Sequence, residues 1–317
     1  MSITRAAVVQ DAPVAFDLDQ TLVKVRARLA EAAQQKAQIV VFPEAFLGGY
    51  PKGNDFGARV GMRSPAGREL FQRYWASAID VPGPVTELLG EAARQHAVYL
   101  VIGVIERDGG TLYCTALFFA PDGALKGKHR KLMPTASERL VWGQGDGSTL
   151  PVFDTQVGRI GAVICWENYM PMLRQAMYGQ RINVWCAPTV DEREIWQASM
   201  RHIAYEGRCF VLSACQFMTA ADAPPDHPAY AGMAQTTELI RGGSVIISPL
   251  GEVLAGPVYG REAVLVADID PEDTIRGKYD LDVVGHYARP DIFSLKVNTT
   301  PRDGVNFQAS DELPSPS

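Results

Sequence analysis

Three consecutive segments near the amino terminus restrict the fold more than any other feature of this chain. Residues 6–9 (A-A-V-V) form a short apolar β-type run, and residues 39–42 (I-V-V-F) form a second one, cut off by Pro43. Between them, Leu18, Leu22, Val25, Leu29, Ala32 and Ala33 recur at helical spacing with charges in the gaps. Strand, helix, strand in that order is the pattern of parallel strands joined by a crossover helix.

The pattern then changes character. Asp108-Gly109-Gly110 separates the strand-like residues 98–106 from residues 112–120, and Pro121-Asp122-Gly123 makes a second tight turn before residues 124–131. Two hairpin turns in succession require antiparallel neighbours, so the sheet is expected to be mixed. Strand-helix units recur beyond residue 150, with strands at 152–155, 160–164, 182–187 and 209–214 and helices at 170–178 and 193–207. Two closing strands, 244–248 and 263–268, read as another hairpin, and 271–281 as a last helix. Residues 48–66, rich in Gly and Pro, read as a long surface loop, and 222–237 as a surface excursion. No linker composition interrupts the chain, so residues 1–297 are expected to form one α/β domain of two mixed sheets faced by helices. The polar, proline-containing residues 298–317 are expected to be a disordered tail.

Composition narrows the function. Thirty basic against 36 acidic residues leave a net charge of −6, which offers no basic footprint for nucleic acid. No apolar stretch approaches the ~18 residues of a membrane span, and the amino terminus lacks the pattern of a signal peptide. The cysteines at 114, 165, 186, 209 and 215 show no paired C-x-x-C spacing, which fits reduced thiols in the cytoplasm better than a disulfide framework or a zinc site. The histidines at 96, 129, 202, 227 and 286 lack the spacing of a zinc helix and read as structural or surface residues. There is no G-x-S-x-G elbow, P-loop or dinucleotide fingerprint, so neither a metal nor an organic cofactor is expected.

Three reactive side chains stand at strand ends: Glu44 after 39–42, Lys131 at the end of the basic run K-G-K-H-R-K, and Cys165 after the apolar run 160–164. A carboxylate, an ammonium and a thiol supply a proton carrier, a positive group and a nucleophile, the needs of covalent catalysis at an electrophilic carbon. Asn168 reads as the N-cap of the helix that follows Cys165, and a helix start beside the thiol is expected to favour thiolate. Each residue alone has a plainer reading, as a buried small hydrophobe, a surface carboxylate or a solvated cation.

The neighbouring letters decide between them. F-P-E-A at 42–45, H-R-K-L-M-P-T at 129–135 and C-W-E-N-Y-M-P at 165–171 together resemble the nitrilase superfamily, and the likeness continues through P-T-V-D-E-R-E at 188–194, H-I-A-Y-E-G-R-C at 202–209 and V-V-G-H-Y-A-R-P-D at 283–291. The resemblance implies a four-layer α-β-β-α sandwich with a catalytic triad of Glu44, Lys131 and Cys165, joined by Glu138 as the second glutamate. Trp-Glu after the cysteine resembles the nitrilase branch, in which a nitrile becomes a carboxylic acid and ammonia through a cysteine thioimidate and thioester. Asn168 departs from the His that many nitrilases carry. Tyr50, Trp142, Trp166, Trp185 and Trp196 fall near these segments; core packing accounts for most, and Tyr50, Trp142, Trp166 and Thr189 are the candidate substrate-binding residues. The resemblance further implies dimers and, in many nitrilases, spiral oligomers. Amide-hydrolysing and cyanide-degrading members of the superfamily are the alternative activities, and a non-catalytic scaffold would have no need of all three reactive side chains.

Overall fold

A computed structural model describes residues 3–224, 226–302 and 304–305. The chain opens with β1 (Thr4–Gln10), α1 (Leu18–Gln34), β2 (Ile39–Val41), α2 (Pro65–Ser77), α3 (Pro84–His96), β3 (Tyr99–Asp108), β4 (Thr111–Phe119) and β5 (Leu125–Arg130). It continues through β6 (Val152–Thr155), β7 (Gly158–Ala162), α4 (Pro171–Gly179), β8 (Val184–Cys186), α5 (Glu194–Gly207), β9 (Phe210–Ser213) and β10 (Phe217–Thr219). The last elements are β11 (Glu238–Ile247), β12 (Val253–Tyr259), β13 (Ala263–Ile269) and α6 (Asp273–Gly277).

These strands form two sheets. The first runs β13-β1-β2-β3-β4-β5 and the second β10-β11-β9-β8-β7-β6, with β12 paired to β11. Each has a parallel centre: β1, β2 and β3 in one, β7, β8 and β9 in the other. Each also has antiparallel neighbours, so both are mixed. Side-chain alternation along the strands explains the layering. Ile39 and Val41 of β2 pack inward with Ile160, Val184 and Leu212 of the other sheet, whereas Val40 points outward to Val25 and Leu29 of α1 and Leu89 of α3. On the far side Trp185 and Val211 meet Met177 of α4 and Trp196 and Met200 of α5. The result is a four-layer α-β-β-α sandwich.

Topology brings two strand ends to one edge. Two successive hairpins, β3-β4 and β4-β5, reverse the chain twice, so β5 leaves the first sheet in the same direction as β2. The residues after β2 and after β5 therefore emerge together, where the carboxyl ends of parallel strands commonly place sites.

Two expectations need correction. Residues 244–248 and 263–268 are not a hairpin: β12 lies between them and returns on β11, while β13 crosses to the other sheet and pairs antiparallel with β1. Exposure along β12 hid it, because only Ala255 and Val258 are partly buried and no alternation shows. The helix expected at 271–281 is cut to Asp273–Gly277. The excursion at 222–237 folds back on the chain, with the His227 ring stacked 4.4 Å from Tyr230 and 6.0 Å from Phe16. Of the residues expected to be a disordered tail, Arg302 donates its N–H to Asp146 Oδ2 at 2.7 Å; 303 and 306–317 lie outside the described residues.

Candidate active site

Backbone geometry fixes the three reactive side chains before any charge is considered. Glu44 follows β2 and precedes Ala45, whose φ is +50°. Gly103 makes room for that turn: a Cβ there would sit 2.3 Å from Pro43 O and 2.7 Å from Glu44 Cα. Gln216 donates from Nε2 to Glu44 O at 2.7 Å. Lys131 donates its N–H to Cys114 O and accepts from Gly145 N–H, both at 2.8 Å. Cys165 sits just beyond β7 with φ +50° and donates its N–H to Pro188 O at 2.9 Å. A left-handed φ at a non-glycine residue is strained and must be held by its surroundings. Asn168 does so, donating from Nδ2 to Cys165 O at 2.8 Å and Val163 O at 2.9 Å while accepting from Trp185 Nε1 at 2.8 Å.

Asn168 is therefore no N-cap. The chain makes a 3₁₀ turn over Cys165–Tyr169 with Asn168 inside it, and α4 begins at Pro171 with Met170 as its cap residue.

Lys131 Nζ lies 2.6 Å from Glu44 Oε1 and 2.8 Å from Glu138 Oε2, all within the protein interior. Glu138 also accepts from Thr135 N–H at 2.6 Å and from Tyr50 Oη at 2.9 Å. Thr189 Oγ1 donates to Cys165 Sγ at 3.3 Å, and Cys114 Sγ donates to Glu44 Oε1 at 3.5 Å. Glu44 Oε2 is buried without a hydrogen bond of ordinary geometry, and Cys165 is near enough to Glu44 to lower its pKa slightly.

Burial dominates the titration of the site. It pushes Glu44 above the usual carboxylate range, with Lys131 pulling down and Glu138 pushing up. Burial opposes the Lys131 ammonium, but Glu44 and the other acidic neighbours outweigh it, and Lys131 stays charged well above its ordinary range. Cys165 is raised by burial first and by Glu44 second, against the smaller pulls of Lys131 and Thr189. Against the expectation of a resting thiolate, burial and the Glu44 carboxylate both disfavour a charge on the sulfur and favour the thiol. Measured as the ultraviolet difference between wild type and Cys165→Ala, thiolate absorption at Cys165 is expected to be absent from about pH 6 to pH 9. A step below pH 7 would instead indicate a thiolate-ammonium pair.

Cys165, Glu138, Tyr50 and Trp166 wall a cavity of about 200 Å³, with Lys52 and Arg193 at its edge. Glu44 and Lys131 stand behind that wall. Trp166 is 42% exposed and is braced by a hydrogen bond from Nε1 to Asp191 Oδ2 at 2.9 Å and by the Arg193 guanidinium 4.9 Å from its ring. Thr189 reaches the site only through the sulfur. Trp142 is set back from the cavity: buried, it donates to Tyr74 Oη at 3.1 Å, and its ring lies 5.5 Å from Lys131 Nζ. Trp185 and Trp196 belong to the outer core. No group of three or more His, Cys, Asp or Glu side chains among the described residues could hold a metal ion.

Sequence reading did not single out Cys114, Gln216, Asp191 or Arg193. Cys114 and Gln216 act on Glu44 across contacts 70 and 172 residues apart, which no local spacing announces.

Comparison with known proteins places the chain in a family. The carbon-nitrogen hydrolase family model matches residues 5–279. The chain belongs to the carbon-nitrogen hydrolases. Within that family it is 57% identical to an aliphatic nitrilase from Sinorhizobium fredii, over 98% of this chain and 100% of that one. It is 56% identical to a nitrilase from Bradyrhizobium diazoefficiens, over 95% and 94%. A bifunctional nitrilase/nitrile hydratase from Lupinus angustifolius is 55% identical over 96% and 89%. Among solved structures, the NitFhit protein of C. elegans aligns with TM-score 0.73 at 22% identity, over 96% of this chain and 69% of that one. A carbon-nitrogen hydrolase from Helicobacter pylori aligns with TM-score 0.67 at 21% identity, over 90% and 97%. These structural likenesses confirm the α-β-β-α fold of a carbon-nitrogen hydrolase.

Proposed function

We propose that this carbon-nitrogen hydrolase converts a small organic nitrile into the carboxylic acid and ammonia, with Cys165 as nucleophile, Glu44 as proton carrier and Lys131 as the cation facing the developing charge. Relatives named as nitrilases at 55–57% identity over almost the whole chain support the activity. The observation that supports the residue roles is the buried Glu44-Lys131-Glu138 cluster set against a cavity walled by Cys165.

Glu44 takes the thiol proton as Cys165 Sγ attacks the nitrile carbon, and the proton passes to nitrogen, giving a thioimidate. Water adds to that carbon, ammonia departs, and a thioester remains. A second water, deprotonated through Glu44, releases the carboxylic acid and returns the proton to Cys165. Lys131, held by Glu138, stabilises the negative charge of each tetrahedral species. Two waters are consumed per nitrile, and no metal or organic cofactor is called for. Tyr50 and Trp166 would contact the substrate body, and the cavity's volume favours a small one.

Ammonia release measured in parallel from a nitrile, its amide and cyanide tests the reading. The nitrile is expected to be turned over at least ~10-fold faster than either, a factor worth about 1.4 kcal/mol of barrier; faster turnover of the amide or of cyanide would move the enzyme to those alternatives.

Self-association as a dimer or larger oligomer is supported by the exposed Met172 of α4 and Ile195 and Tyr205 of α5, apolar side chains on an outer layer. A cytoplasmic location is supported by five free, buried thiols. No helix of the described residues is long and apolar enough to cross a membrane.

A further inference from the structure

Two motifs remain that the chemistry above does not use: the His two residues before Lys131 and the Glu two residues after Cys165. The fold brings them together. Glu167, wholly buried, accepts from Leu132 N–H at 2.5 Å through Oε1, and from Ile164 N–H and His129 Nε2, both at 2.9 Å, through Oε2. Leu132 is the residue after Lys131, and Ile164 is the residue before Cys165. One carboxylate thus bonds the flanks of the ammonium-bearing and sulfur-bearing segments, which leave different sheets.

His129 completes the bridge. Its Nδ1 is 2.6 Å from Thr149 O, an atom that can only accept, so Nδ1 carries a hydrogen. Its Nε2 faces Glu167 Oε2 at 2.9 Å, so one hydrogen bond joins the imidazole to the carboxyl group. Burial works against the imidazolium, yet Glu167 and the Thr149 carbonyl raise its pKa above the ordinary value. Neither residue lines the cavity that Cys165 walls.

We propose that Glu167, held by His129, is a positioning residue that sets the spacing between Lys131 and Cys165, so that the ammonium meets the charge formed at the carbon the sulfur attacks. The inference rests on the roles given above to Cys165 and Lys131. Misplacing a reacting group by about 1 Å can cost ~100-fold in rate, whereas binding in the cavity depends on walls that the bridge does not form.

The test uses the full-length protein, with active sites counted as the fraction of Cys165 carrying a covalent adduct of a slow nitrile by intact-mass spectrometry. Glu167→Gln places an amide donor against backbone donors and is expected to lower kcat per counted site ~10- to 100-fold with KM within about threefold of wild type. His129→Gln keeps both backbone bonds to Glu167 and is expected to show the same split; it serves where Glu167→Gln does not fold. The double variant should lose no more than the worse single variant, because the two act as one unit. Wild-type kcat per counted site in His129→Gln, or a loss confined to KM, would overturn the bridge. A wild-type protein that turns over nitrile without any Cys165 adduct would instead overturn the assignment of the nucleophile.

Discussion

Cys165→Ala is expected to lower nitrile turnover by at least ~10⁴-fold and to remove every covalent adduct from the mass spectrum, while the protein stays folded. The size follows from the role: removing a nucleophile forfeits the covalent route altogether, and only binding and charge stabilisation remain. Folding should survive because alanine fits the space of the sulfur and the strain at this position is held elsewhere. The φ of +50° at Cys165 is maintained by Asn168 and by the N–H bond to Pro188 O, neither of which uses the thiol. What is lost is the contact from Thr189 Oγ1, worth about 1 kcal/mol. Cys114 cannot stand in. It is fully buried, bonded to Glu44 and absent from the cavity wall, and burial holds its thiol well above the ordinary range. Residual turnover within ~100-fold of wild type, or an adduct that persists in the variant, would remove Cys165 from the reaction.

How much of this was legible beforehand varies with the distance over which each feature is determined. The helix between the first two strands was legible because Leu18, Leu22, Val25, Leu29 and Ala32 recur at its own period, and the structure runs it from Leu18 to Gln34. The run 39–42 was legible as a strand because both its faces are buried and Pro43 ends it. The strand β12 was not, since its side chains meet neither a helix nor the inter-sheet core in a regular alternation. Asn168 illustrates the limit of local rules. Asparagine before a helix pattern ordinarily caps it, but here the packed indole of Trp185 and the carbonyl of Cys165 claim the same amide. The reactive trio was read from neighbouring letters, and its spacing could not be. Glu44 and Lys131 are 87 residues apart in sequence, and two hairpin reversals are needed to bring them within 2.6 Å.

Lys131→Met separates the electrostatic role of this residue from its catalytic one, and both effects are expected to be large. In the native site one ammonium serves two carboxylates, Glu44 at 2.6 Å and Glu138 at 2.8 Å, with its side chain fully buried. Removing one partner of a buried ion pair leaves uncompensated charge and costs about 3–5 kcal/mol. The methionine stem fills the volume of the lysine stem, so the loss is one of charge and not of packing. Without the cation, Glu44, which burial already raises and Lys131 pulls down, should titrate further above the ~4.3 of an unfolded glutamate. The folded variant then binds more protons than the unfolded chain between that value and the raised one, so its stability should increase as pH falls through that window. The deficit against wild type, measured by chemical denaturation, is therefore expected to be greatest near pH 8 and to shrink towards about pH 5.5. Turnover should fall by at least ~10³-fold at either pH, since the charge of the tetrahedral species loses its partner. Glu44→Gln provides the contrast: Lys131 keeps Glu138, stability should change by no more than about 1 kcal/mol, and turnover should still fall ~100-fold or more through loss of the proton carrier. A Lys131→Met protein as stable as wild type at pH 8 would mean that the two carboxylates do not both depend on this ammonium. The charge balance that keeps Cys165 a thiol at rest would then have to be drawn differently.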